Sequence, residues 1–139
     1  IFFNTVVTLG TGIAVRRRQH KTREYTQYIT GNAVFARVPL AGGVQGANRV
    51  GHYEAASTFL AAPFAALGQL DLYPRGGLDG SAVSDLRIRG YYEWNKDFNG
   101  RTRDGYFRGA YSGEGENPGW LPQFTPKPRR VRSEADPHG

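Results

Sequence analysis

The chain has 139 residues, 18 Lys and Arg against 12 Asp and Glu, a formal net charge of +6, and neither Cys nor Met. Its length suits one domain. The lack of Cys excludes a disulfide framework, a Cys-based zinc site and a thiol nucleophile.

The basic excess sits at the two ends. Arg16, Arg17, Arg18, Lys21 and Arg23 cluster near one terminus, and Lys127, Arg129, Arg130 and Arg132 near the other. Residues 24–126 hold nine basic and ten acidic residues, a formal charge of −1. A folded surface that reads nucleic acid usually carries the basic excess itself, so nucleic acid is the lesser expectation as a partner. With no Met at position 1, the chain reads as a processed product or as part of a longer one.

Ile1 to Val15 carry no charge. Phe2, Phe3, Val6, Val7, Leu9 and Ile13, followed by Arg16, Arg17 and Arg18, read as an apolar anchor stopped by a basic collar over 16–24. As a helix, fifteen residues rise about 22 Å against a hydrocarbon core of about 30 Å. A span would therefore need more apolar residues, and the alternative is an inner strand built on the β-branched run Thr5-Val6-Val7-Thr8. Gly10-Thr11-Gly12 opens like a dinucleotide loop, but Val15 stands where its third glycine belongs and residues 29–35 hold no acid.

A compact body is expected over 25–112. Residues 25–38 alternate aromatic and polar groups around Gly31-Asn32, which predicts a hairpin. Gly42, Gly43, Gly46 and Gly51 mark a flexible connection. Phe59, Leu60, Pro63, Phe64 and Leu67 fall on one helical face, so an apolar helix is predicted over about 53–70, kinked at Pro63. Residues 86–94 alternate, with Leu86, Ile88, Tyr92 and Trp94 on one face and Arg87, Arg89, Tyr91 and Glu93 on the other. They predict a strand paired with one near 105–111 that carries Phe107, Gly109 and Tyr111. The expected fold class is thus α+β, a small antiparallel sheet with hairpins near 25–38 and 86–111 and one apolar helix. Residues 113–139 read as an extended, proline-rich, basic arm, and no internal repeat is evident.

No catalytic signature assembles. Asn95, Asp97 and Asn99 before Gly100 resemble half of a calcium-binding loop, but Tyr106 stands where a bidentate Glu is needed and Arg101 and Arg103 oppose a cation. His52 and Glu54 echo the first half of a zinc-deaminase motif whose cysteines cannot exist here. Together with Asp104 they are the groups to test for an enzyme. Arg89, Tyr91, Trp94 and Tyr106 form a possible ligand face, on which aromatics and arginines can stack bases or sugars.

The leading expectation is a non-enzymatic accessory subunit of a membrane-associated assembly, in a thylakoid or inner mitochondrial membrane. It would dock by its apolar N-terminus and clamp protein neighbours through Trp120, Leu121, Phe124, Lys127, Arg129, Arg130 and Arg132. Lipid headgroups are a second partner for the basic clusters. The combination is similar in style to supernumerary subunits of photosynthetic and respiratory complexes, a class-level likeness carried by no motif. No metal or cofactor is expected, and pigment or lipid against the apolar 55–70 segment stays open. The competing expectation is a soluble, basic, β-rich binding module for RNA, glycan or another polyanion.

Overall fold

The computed structural model describes residues 1–16, 26–83 and 86–129. Its first half is built from parallel strands. β1 (Thr5–Ala14), β3 (Ala33–Ala41) and β5 (Arg49–Gly51) form one sheet in the order β1-β3-β5, and β2 (Tyr28–Thr30) pairs with β4 (Val44–Gly46) in another. Every pairing in these two sheets is parallel, and Phe2 adds a parallel bridge to Thr30. Consecutive strands therefore belong to different sheets: the chain runs along one sheet, turns a corner into the other, and then stacks the next turn beneath. The result is a short parallel β-solenoid of three rungs among the described residues, Phe2 with β1, β2 with β3, and β4 with β5.

The corner has the same structure in each rung. Phe3, Gly31 and Ala47 all adopt the left-handed conformation, with φ of 55°, 72° and 53°, and each is followed by an asparagine: Asn4, Asn32 and Asn48. The left-handed residue turns the chain, and the asparagine side chain takes up backbone groups that the turn leaves unpaired. Asn32 Oδ1 accepts the backbone N–H of Asn4 at 2.9 Å and its Nδ2 at 3.0 Å. Asn48 Oδ1 accepts the same two donors from Asn32 at 2.9 and 3.0 Å. Asn48 Nδ2 in turn donates to the Ile29 carbonyl at 2.8 Å. The three amides thus form a ladder along the corner, and Asn32, fully buried at its centre, is hydrogen-bonded as a buried polar group must be.

Alternation along β3 divides the core in two. Val34 and Ala36 point inward with Ile13 and Ile29, against Val6, Val15 and Leu40. Ala33 and Phe35 point outward, where Ala56, Leu60 and Leu78 cover them, with Val7, Ala55, Phe59 and Leu72 alongside. The covering layer consists of a 3-10 turn (Tyr53–Ala55) running into α1 (Ala56–Phe59), followed by the antiparallel pair β6 (Leu60–Ala62) and β7 (Asp71–Pro74). Phe35 and Phe59 stack at 5.4 Å between ring centroids.

This architecture corrects the expected α+β fold at four points. Gly31-Asn32 is a turn, but it closes no hairpin over 25–38. Asn32 bonds to the rungs on either side, so β2 and β3 diverge into separate sheets. The apolar helix over 53–70 stops at Phe59, because Leu60 is extended (φ −117°, ψ 152°) and fully buried in strand β6. Phe64 and Leu67, assigned to the same helical face, are 47% and 46% exposed. Residues 86–94 are not a strand: Leu86–Gly90 is a 3-10 helix, and successive turns follow, with Trp94 N–H donating to the Tyr91 carbonyl and Lys96 N–H to that of Glu93. Segment 105–111 makes only an isolated bridge, Phe107 to Asp79, since Gly105 and Gly109 take positive φ values of 84° and 91° that break a strand.

Candidate functional site

The C-terminal half folds back over the first corner of the solenoid and makes a cleft there. A backbone N–H from Gly109 reaches the Gly31 carbonyl at 2.8 Å, and that of Ala110 reaches Thr5 Oγ1 at 2.9 Å. These two bonds fasten the loop 96–112 to the Gly31 corner and to the start of β1 just after the Phe3 corner. The loop is organised from within by Asp97, which is buried. Its carboxylate accepts the N–H of Arg101 at 2.8 Å and that of Ser112 at 3.0 Å. The partial likeness to a calcium loop is explained by this arrangement, in which both Asp97 oxygens are engaged by backbone donors. Among the described residues no group of three or more metal-ligating side chains gathers.

Arg103 is the second organiser. Its guanidinium donates to the carbonyls of Lys96 (3.2 Å), Gly109 (3.1 Å) and Ala110 (3.0 Å) and lies 4.1 Å from the Phe3 ring centroid. Burial pushes its pKa down to about 10, while the charges of Asp97 and Asp104 pull the other way. Three bonds to backbone carbonyls and a ring above the plane make Arg103 the floor of the cleft.

The cleft encloses about 210 Å³ between Phe3, Val83, Ile88, Arg89, Trp94, Arg103, Asp104 and Gly105. Pockets for drug-sized ligands measure roughly 300–1,000 Å³, so this smaller space suits one ring of a longer ligand that continues outside it. At its mouth the Arg89 guanidinium lies 5.5 Å from the Trp94 ring centroid. Asp104 Oδ1 accepts the N–H of Tyr106 at 3.0 Å and the Ser112 hydroxyl at 3.3 Å, which holds the carboxylate in place. Exposed aromatics surround the region: Tyr91 at 61%, Tyr92 at 65% and Tyr106 at 52%. Tyr91 rests edge-on against Phe2 at 5.1 Å.

Of the residues expected to form a ligand face, Arg89 and Trp94 line the cleft, while Tyr91 and Tyr106 lie beside it in the chain without lining it. Phe3, expected in the anchor, Asp104, expected among the groups to test for an enzyme, and Arg103, one of the arginines of the 87–111 stretch, also belong to the lining. Asp104 is the one group of the proposed catalytic set in the cleft. His52 and Glu54 are exposed around the start of the 3-10 turn after β5.

The N-terminal residues expected as an anchor are distributed through the solenoid. Val6 and Ile13 join the inner core and Val7 the outer one, Leu9 is 68% exposed, and Phe2 and Phe3 sit at the first corner. Arg16 is exposed, and Arg17 and Arg18 lie outside the described residues. Among the described residues no helix is long and apolar enough to cross a membrane.

The arm lies partly on its own body. Asn117 Nδ2 donates to Asp71 Oδ1 at 2.9 Å, Gly68 N–H donates to the Pro122 carbonyl at 2.8 Å, and Trp120 packs 6.3 Å from Phe98. Lys127 donates to the Phe98 carbonyl, with its ammonium 3.6 Å from the Phe98 ring centroid. Trp120 and Leu121 are half-buried, Phe124 is 96% exposed and Arg129 is exposed; Arg130 and Arg132 lie outside the described residues.

Searched against protein-family models, curated proteins and solved structures, the chain matches none of them.

Proposed function

We propose that this protein is a non-enzymatic binding module for a glycan, taking one sugar ring of the polymer into the cleft between Phe3 and Trp94. The observation that carries the reading is the Arg89–Trp94 pair at the mouth of a cleft that also holds the anchored Asp104 carboxylate. A sugar ring offers C–H groups for an aromatic face and hydroxyls that both donate and accept. A tryptophan, a carboxylate acceptor and a guanidinium donor in one small space match those demands together.

Charge favours a glycan over RNA. The body between the basic ends has a formal charge of −1, so it lacks the basic excess by which a folded surface holds a phosphate backbone. Exposed Tyr91, Tyr92 and Tyr106 around the region offer further faces to neighbouring sugar units.

A second reading, an accessory subunit that clamps a protein neighbour, draws its support from the arm. Phe124 is 96% exposed on a segment otherwise pinned to the body, and a large aromatic held outward in this way suits a partner's pocket.

The test is affinity electrophoresis in native gels containing neutral or uronic-acid polysaccharides. Retardation by at least one polymer is expected, lost in Trp94→Ala and Arg89→Ala while near-ultraviolet circular dichroism shows an intact fold. Unretarded migration in every polymer, or equal retardation of the Trp94→Ala protein, would overturn the assignment of the cleft.

A further inference from the structure

Three charged side chains line the cleft: Arg89, Arg103 and Asp104. Arg103 is engaged by the fold, since its guanidinium donates to the carbonyls of Lys96, Gly109 and Ala110. Asp104 is engaged on one side only. Its Oδ1 accepts the Tyr106 N–H and the Ser112 hydroxyl, and among the described residues nothing donates to Oδ2. Arg89 is exposed over the Trp94 ring, and among the described residues its guanidinium neither donates a hydrogen bond nor pairs with a carboxylate.

The lining therefore holds two cations to one anion, opposite in sign to the formal charge of −1 on the body between the basic ends. Its spare cation stands at the mouth, beside the aromatic face that a sugar would cover. A neutral ring seated there takes water from the guanidinium and returns only hydroxyl dipoles. A carboxylate on that ring returns a full charge and accepts two parallel N–H bonds from the planar fork. The space sets the spacing of charge as well: about 210 Å³ holds one ring, so one carboxylate per sugar meets one guanidinium.

We infer that the cleft selects an acidic glycan, a polyuronide whose sugar rings each carry a carboxylate, and that Arg89 is the residue that binds this carboxylate. Trp94 meets the C–H face of the same ring, and Asp104 Oδ2 accepts one of its hydroxyl protons in a hydrogen bond. The inference rests on the glycan reading given above and adds to it the chemical class of the sugar.

The probes are polygalacturonate and alginate, each compared with the same polymer after reduction of its carboxylates to alcohols. The intact protein is run in native gels containing each polymer at physiological ionic strength, which screens the general attraction of a basic protein for a polyanion. Dissociation constants come from the dependence of migration on polymer concentration. At least one polyuronide is expected to bind about tenfold more tightly than its reduced form, as loss of a charge-assisted pair implies. Arg89→Gln should bring the polyuronide down to the level of the reduced polymer.

Equal binding of a polyuronide and its reduced form would overturn the inference. So would a preference for the polyuronide that survives in Arg89→Gln, since the basic ends of the chain would then be its source. Dextran sulfate is the third arm, and retardation by it that depends equally on Arg89 would overturn the inference by showing a response to any anion. In each of these cases loss of retardation in Trp94→Ala would leave the glycan reading standing. Unretarded migration in every polymer, acidic and neutral, would remove that reading and this inference with it.

Discussion

Replacing Asn32 with alanine removes the middle step of the corner ladder. Asn32 is fully buried. Its side chain accepts two bonds from Asn4, at 2.9 and 3.0 Å, and donates to Asn48 Oδ1 at 3.0 Å, to the Ile1 carbonyl at 3.2 Å and to the Thr30 carbonyl at 3.3 Å. The Ile1 carbonyl keeps the Thr30 N–H and Asn48 Oδ1 keeps the Asn32 N–H, so neither is orphaned. Counting the three shorter bonds at about 0.5–1.5 kcal/mol each, the loss is about 1.5–4.5 kcal/mol, a large share of a typical total of about 5–15 kcal/mol. Urea unfolding should show the midpoint falling with an unchanged slope. Asn4→Ala should cost less, because Asn4 is exposed and water replaces its partners. A loss below about 1 kcal/mol for Asn32→Ala, or a larger loss for Asn4→Ala, would refute the view that this ladder holds the rungs in register.

Three further outcomes follow from the packing. Gly31→Ala should destabilise by about 1–2 kcal/mol in the same assay, since φ is 72° and an added Cβ would lie 2.9 Å from Phe3 Cε1. Arg103→Leu should loosen the 96–112 loop and the cleft, removing the donor to the Lys96 and Gly109 carbonyls and one of the two to the Ala110 carbonyl, which keeps the Phe98 N–H. Faster hydrogen exchange confined to that loop and weaker glycan retention would be the signature. Burial, with the charges of Asp71 and Asp97, raises the Tyr111 phenol to about 12 from its ordinary 10. The folded state therefore holds this proton more tightly than the unfolded one. The stability it contributes is full below pH 10 and is lost as the pH climbs through 12. Against Tyr111→Phe, which removes this dependence and leaves that of Arg103, the wild type should lose stability more steeply across that window; parallel curves would contradict the burial argument.

The strand content of the first half was partly legible, because Thr5-Val6-Val7-Thr8 and Ala33–Val38 are β-branched or alternating. Their parallel stacking was not. The sign of it is the asparagine after each left-handed corner, but twenty-eight residues separate Asn4 from Asn32 and sixteen separate Asn32 from Asn48, so no fixed period reveals the repeat. Only one of the three corners, Gly31, carries the glycine that advertises positive φ. Gly31-Asn32 then reads as a hairpin, since a two-residue turn and a solenoid corner use the same residue types and differ in what the asparagine side chain bonds to, which is tertiary information. In the second half, the 86–94 alternation misled because Ile88 is buried whereas Tyr92 and Trp94 are exposed. Arg89 and Trp94, which line the cleft, were nonetheless legible as candidates from residue type. Phe3 was not, because it enters the cleft only when the C-terminal half folds onto the first corner, across roughly a hundred residues of chain.

The most direct test of the glycan assignment is a fluorescence titration of Trp94. The chain has two tryptophans, so a Trp120→Phe protein reports on the cleft alone, and oligosaccharides from the retarding polymer can be added to it stepwise. A saturable shift in Trp94 emission, abolished by Arg89→Ala, is the expected result. Unchanged emission at oligosaccharide concentrations that saturate retention in gels would place the sugar elsewhere and contradict the assignment of this cleft.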